Sequence, residues 1–93
     1  MNGYDEKARA NLRKHGILFE DALLAFDDPH YIIEQDPEEK EERWQLIGMA
    51  DNCLLLLVIH TIREKNEMEV TRIISARRAT PKERKRYGNR KLS

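Results

Sequence analysis

Cysteine is nearly missing from this chain of 93 residues: Cys53 is the one thiol. That excludes an intrachain disulfide and any zinc site built on cysteines. No stretch approaches the ~20 apolar residues that a membrane helix needs. No basic-then-apolar leader opens the chain, so a cytoplasmic protein with no membrane partner is expected. Net charge is missing as well, since 17 Lys and Arg balance 17 Asp and Glu. There is no glycine loop to cradle phosphate and no nucleophile elbow. The three histidines show no metal-ligand spacing. The acidic residues Glu34, Asp36, Glu38, Glu39, Glu41 and Glu42 lack the Asp/Asn-Gly pattern of a calcium loop and read as a solvated hairpin tip. No cofactor and no metal is therefore expected.

What remains is charge and a modest core. Apolar residues make up 40% of the chain and charged residues 37%. Two dense apolar runs, at 54–59 and 70–74, are incompatible with disorder throughout. The zero net charge hides two opposed halves. Residues 1–62 carry six basic and 13 acidic side chains, a balance of −7, and residues 63–93 carry 11 basic and four acidic, a balance of +7. Potentials are local over a Debye length of about 8–10 Å, so the distribution matters more than the total.

The order of elements follows from periodicity. Residues 5–15 place Ala8, Leu12 and His15 at helical spacing, acids first and bases last, with Gly16 as the stop. Residues 19–26 form a second helix through Phe19, Ala22, Leu23 and Phe26, ended by Asp27-Asp28-Pro29. Strands are expected at 30–35, at 43–49 with Trp44, Leu46 and Gly48 on one side, at 53–62, and at 67–75. Turns fall at 36–42, 51–52 and 63–66. Residues 80–83 (TPKE) are a capping-box start with proline at the first helical position, opening a helix that runs through Tyr87 and weakens at Gly88. A strand over residues 1–4 is too short to assign. The sum is an α+β fold: two N-terminal helices, an antiparallel sheet of about four strands and a C-terminal helix, with the helices on one side of the sheet. Residues 1–93 form a single domain in this reading, and 88–93 a flexible basic tail.

The basic segment at 72–91 concentrates the chemistry. Arginine offers a planar fork that pairs bidentately with phosphate oxygens. Arg72, Arg77 and Arg78, on or just past the last strand, are candidate phosphate ligands, because strand ends are rigid. Lys82, Lys85, Arg90 and Lys91 fit a solvated face. Arg84 and Tyr87, three apart, can share a helix face. Tyr87 either stacks on a base or moves a proton, or anchors the helix on the sheet. Lys14 and His15 stand at a helix end, where His15 serves as acid or base, complements the helix terminus, or packs in the core. His30 and His60 read as structural, and Trp44 as core.

Taken together, the residues resemble a known family. Lys7, Asn11, then Leu12 to Gly16 (LRKHG), Phe19-Glu20 and Phe26 to Pro29 (FDDP) carry the first part. Glu42-Arg43, Leu46-Ile47-Gly48 and the run at 55–60 carry the middle. The most specific stretch is RIISARRAT at 72–80, continued by Glu83-Arg84 and Tyr87. This pattern resembles the BrnT toxins of type II toxin–antitoxin systems, within the broader RelE-like group of small ribonucleases. The family's usual opening strand ending in Trp-Asp is replaced here by Gly3-Tyr4-Asp5, closer to Lys7. The resemblance implies a RelE-like fold that cleaves RNA and inhibits translation and growth. It also implies a cognate BrnA-like ribbon-helix-helix antitoxin, with DNA engaged only indirectly through the antitoxin complex that represses the operon. The chemistry it suggests is a metal-independent endoribonuclease, with Arg77, Tyr87, Lys14 and His15 as catalytic candidates and Arg72, Arg78 and Arg84 as RNA-binding ones. The alternatives are a non-catalytic binding module and a decayed toxin acting only with its antitoxin.

Overall fold

One strand organises the molecule. In the computed structural model, which describes residues 3–36, 42–51 and 53–92, β3 (Leu54–Lys65) is buried on both of its faces along the apolar run. Successive side chains of a strand point to opposite faces, so an unbroken apolar run requires cover on both sides. Leu56, Val58 and His60 point to one face, Leu55 and Leu57 to the other.

β1 (Ile32–Gln35), β2 (Arg43–Asp51), β3 and β4 (Met68–Arg78) form an antiparallel meander in the order β1-β2-β3-β4. α1 (Gly3–His15) and α2 (Phe19–Ala25) cover one face. There Ile17, Phe19, Ala22 and Ala25 pack against Leu46, Leu56, Val58, Ile73 and Ala76. Each large side chain so buried contributes about 1.5–3 kcal/mol. α3 (Pro81–Leu92) covers the opposite face, where Tyr87 and Ala79 close over Ile32, Ile47, Leu55 and Leu57. The expectation that all helices lie on one side is thus corrected. The reason is local: after Arg78 the Ala79 N–H donates to Leu55 O at 3.0 Å, and Thr80 opens α3 at once. The short link delivers the helix to the face where Leu55 and Leu57 still need cover.

Other boundaries move for equally physical reasons. Gly3 and Tyr4 are helical, so no strand forms there, and residues 1–2 lie outside the described residues. The acidic tip at 37–41 and Asn52 also lie outside them. The turn expected at 63–66 is shorter and later: Asn66 (φ 54°) and Glu67 (φ 63°) make a two-residue reversal, and Arg63, Glu64 and Lys65 stay in β3. Two consecutive positive φ values match the right-handed twist of hairpin strands. α3 continues past Gly88 to Leu92, where the sequence pointed to a tail.

Two contacts fix the layers. α2 crosses β2 at Gly48, where a Cβ would sit 2.5 Å from the Ala25 carbonyl oxygen. On the other side, buried Asp28 gathers three elements. Its Oδ1 accepts the His30 N–H at 2.9 Å, and its Oδ2 accepts the Met49 N–H at 2.7 Å and the Tyr87 hydroxyl at 2.5 Å. Burial pushes the Asp28 carboxyl up, but those three donors and the charge of His30 outweigh it and hold it below its ordinary value. Burial, and then the Asp28 acceptor, pushes Tyr87 up to about 12. His60 is fully buried, with Phe26 edge-on at 4.9 Å between ring centroids. Burial drives its pKa down, against the weak pull of Val58 O, so the imidazole packs as a neutral ring.

Gly48→Ala is expected to destabilise the protein by about 1–3 kcal/mol, since backbone rather than a flexible side chain must yield. A lower urea midpoint at unchanged m-value checks it. Tyr87→Phe tests the Asp28 anchor. Unfolded tyrosine ionises near 10.0 and folded Tyr87 near 12, so the Tyr87 share of stability is complete below pH 10 and is lost as pH rises through about 12. The variant is expected to lose that alkaline slope and, at neutral pH, about 1.5–3 kcal/mol for a hydrogen bond to a charged acceptor. Denaturant melts of both proteins between neutral and alkaline pH decide it.

Candidate nucleic-acid interface

The placement of the strand arginines turns on a bulge. Ile59 pairs with Ser75 and His60 with Ile73, which leaves Ile74 as the extra residue of β4. In a regular strand, Arg72 and Arg77 are an odd number apart and face opposite ways. With the bulge, Arg72 (opposite Thr61), Ser75 (opposite Ile59) and Arg77 (opposite Leu57) all share the α3 face. Arg78, opposite Leu56, points to the α1–α2 face and is separated from the other two. β2 places Arg43 across Thr61 from Arg72, so three neighbouring strands contribute one row, Arg43–Thr61–Arg72. Bulges increase local twist and re-aim side chains. Here the result is an arginine row that alternation alone does not predict.

Arg77 is held by α3. Its Nη1 and Nη2 donate to Glu83 Oε1 and Oε2 at 2.8 and 3.0 Å, and Nη1 also donates to Arg78 O at 3.2 Å. Glu83 is in turn fixed by the capping box: its Oε1 accepts Thr80 N–H at 2.8 Å, and its own N–H donates to Thr80 Oγ1 at 3.2 Å. The hydrogen bonds from Arg77 to Glu83 raise the guanidinium pKa despite burial. Burial raises Glu83, but Arg77 and Thr80 overcome it and leave the carboxyl below its ordinary value. Of the five N–H groups of a guanidinium, these contacts engage three. The side chain is held by these contacts and still 37% exposed.

The N-terminal candidates lie along the free edge of β4. Lys7, Ala10, Asn11, Lys14 and His15 of α1 line a shallow cleft of about 290 Å³ together with Ile74 and Ser75. Lys7, Asn11 and Lys14 are spaced four and three residues apart, which stacks them on one helix face. Asn11 locks that face to the strand. Its Nδ2 donates to the Ala76 and Ile17 carbonyls at 2.9 and 3.0 Å, and its Oδ1 accepts the Ala76 N–H at 2.9 Å. Gly16, at φ 71°, ends α1 with its N–H on Leu12 O at 2.9 Å, which leaves half-buried His15 at the cleft and Lys14 exposed beside it. Ser75 belongs to both features: it lines the cleft and stands between Arg72 and Arg77 in register.

The structure thus brings Lys14 and His15 to one side of Ser75 and Arg72 and Arg77 to either side of it along β4. It does not bring Tyr87 there. Tyr87 is 5% exposed and spends its hydroxyl on Asp28, the helix-anchor arrangement. Arg84 is exposed on α3. Sequence reasoning missed Asp28 as a hub, reading it only as a helix stop. The signal was present, because an Asp just before Pro and two residues ahead of an acceptable N–H is an Asx turn. Lys7 and Ser75 were also overlooked as site residues, since only the Ile74 bulge and the Asn11 lock place them together.

No curated protein matches the chain. No helix among the described residues is long and apolar enough to cross a membrane. A family model described as the ribonuclease toxin BrnT of type II toxin–antitoxin systems matches residues 4–83. That span includes α1 with its cleft residues, the bulged β4 and the Arg77–Glu83 pair. The chain belongs to the BrnT family of type II ribonuclease toxins.

Proposed function

We propose that this toxin is a metal-independent endoribonuclease whose site is the surface around Ser75. The observation that carries the reading is the bulge at Ile74, which sets Arg72 and Arg77 on one face of β4 beside the α1 cleft. In this mechanism the substrate's 2′-hydroxyl attacks the adjacent phosphorus, and the bond to the 5′-oxygen breaks. The products are a 2′,3′-cyclic phosphate and a free 5′-hydroxyl. Preorganised cations are most effective where charge develops in the transition state. Arg77, held still by Glu83, stabilises the phosphorane oxygens, and Arg72 binds the neighbouring phosphate. His15 and Lys14 carry the proton taken from the 2′-hydroxyl and the proton given to the 5′-oxygen. Arg84 is an outer RNA contact. Arg78, on the other face, is assigned no part in the chemistry, and Tyr87 acts through position by holding α3 on Asp28.

The partner in this reading is a ribbon-helix-helix antitoxin that silences the toxin in the cytoplasm, and the complex binds operator DNA through the antitoxin. One observation favours a second reading. Glu83 already occupies the bidentate edge of Arg77, as in a structural clamp, which suits a binding module without catalysis.

The two readings part on one assay: purified protein incubated with RNA in excess chelator, followed by end-group analysis. Cleavage with cyclic-phosphate and 5′-hydroxyl ends is expected. Arg77→Ala is expected to slow it by about 10²–10³-fold, the cost of removing one transition-state donor. Glu83→Gln, which loosens the clamp but keeps the guanidinium, is expected to slow it less than Arg77→Ala does. Cleavage by Arg77→Ala at the wild-type rate removes Arg77 from the mechanism. RNA left intact by the wild-type protein across a range of salt selects the binding module.

A further inference from the structure

The pairing of β3 with β4 runs out to Lys65↔Met68, whereas β2 leaves β3 at Arg43↔Thr61. Residues 62–71 therefore project past the sheet as a two-stranded ribbon, closed by Asn66 and Glu67. Register assigns its faces. Arg63 lies opposite Val70 and Lys65 opposite Met68, on the same face as the Thr61–Arg72 pair. Thr61, Arg63, Glu64, Lys65, Val70 and Arg72 line a groove of about 440 Å³ on this ribbon. Met68 and Val70 are 69% and 47% exposed. A two-stranded ribbon is marginal without a covered apolar face, and among the described residues neither core cluster includes Met68 or Val70.

We infer that this groove is the docking site for the antitoxin, through an acidic segment that also carries apolar side chains. The apolar residues of that segment lie over Met68 and Val70, and its carboxylates pair with Arg63, Lys65 and Arg72. The cations accept either anion, and the apolar character of the groove selects a peptide over RNA. Single-stranded RNA is gripped by aromatic platforms as well as cations, and none of the residues on this ribbon face is aromatic. An exposed apolar pair gains from desolvation against a protein side chain. Arg72 belongs to both the groove and the row around Ser75. An antitoxin seated here removes a cation from the RNA surface and covers its approach, so neutralisation is competitive. The inference rests on the toxin–antitoxin reading above.

The experiment titrates the full-length protein with its purified cognate antitoxin by calorimetry and, in parallel, follows RNA cleavage by the toxin alone. Two variants are used, Met68→Asp combined with Val70→Asp, and Arg63→Glu, none of them in the proposed catalytic surface. Each is expected to weaken antitoxin binding by about thirtyfold or more, as for a central interface residue, with wild-type thermal unfolding and wild-type RNA cleavage. Antitoxin affinity within about twofold of wild type, the range of neutral surface changes, overturns the inference. Loss of RNA cleavage with antitoxin affinity intact also overturns it and makes the groove an RNA subsite. If the wild-type protein cleaves no RNA, the endoribonuclease reading fails, while the calorimetry still decides the docking site.

Discussion

The arrangement depends most on one side-chain amide. β4 is an edge strand, and α1 covers part of its outer rim. Buried backbone donors and acceptors there must find partners or cost about 1–3 kcal/mol each. Asn11 meets the requirement by presenting a donor and an acceptor to the N–H and C=O of Ala76, both at 2.9 Å, as another strand's peptide group does. Its third bond, to Ile17 O, fixes the chain as it leaves Gly16 for α2. Helix position, strand edge and interhelical turn are thereby set by one residue. A leucine of similar size fills the same space but leaves three buried polar groups without partners. This polar contact specifies geometry more than it adds net stability, and that geometry is what presents Lys14 and His15 to Ser75.

The other half of the site has a different mechanical origin. α3 carries Glu83, the residue that steadies Arg77, and α3 is itself positioned by Tyr87 on Asp28. Asp28 also ties the α2–β1 turn to β2 through His30 and Met49. A continuous path of short hydrogen bonds therefore links the N-terminal helical layer, the sheet and the C-terminal helix. By contrast, the Arg86–Glu34 pair between α3 and β1, 3.3 Å apart with both side chains well exposed, adds little, as exposed ion pairs generally do. Tyr87 therefore bears on Arg77 through the placement of α3.

Much of this was readable in the residues because it depends on local period. Trp44, Leu46 and Gly48 alternate onto one face as expected; on α2 Phe19 and Ala22 are buried as expected and Phe26 partly so, but Leu23 is exposed and Ala25 is buried instead. The all-apolar run of β3 announced a strand covered on both sides, yet the helices were placed on one side. Nothing in α3 itself states which face it will take; that is decided by the two-residue link after β4 and by the uncovered Leu55 and Leu57. The bulge is the clearest limit. Ile73-Ile74 reads as two adjacent apolar residues, and only pairing with Ile59 and His60 on a distant strand makes Ile74 the extra one. The hairpin turn was misplaced because Arg63, Glu64 and Lys65 look like loop, and they look so because both faces of the ribbon meet solvent.

The hidden charge asymmetry acquires a location from these facts. Part of the +7 half is neutralised in place, Arg77 by Glu83 and Arg86 by Glu34. Arg78 faces away from the site. What acts around Ser75 on the α3 face is a small set, Arg72 and the exposed part of Arg77, joined across the β4 rim by Lys7 and Lys14 of the acidic half. A set this small generates little long-range steering at physiological ionic strength, where the screening length is about 8 Å. In the proposed endoribonuclease reading, selectivity for RNA then comes from where the cations are fixed rather than from how many there are. That is the situation in which Asn11, Glu83 and the Ile74 bulge matter most, because each of them fixes position and none of them adds positive charge.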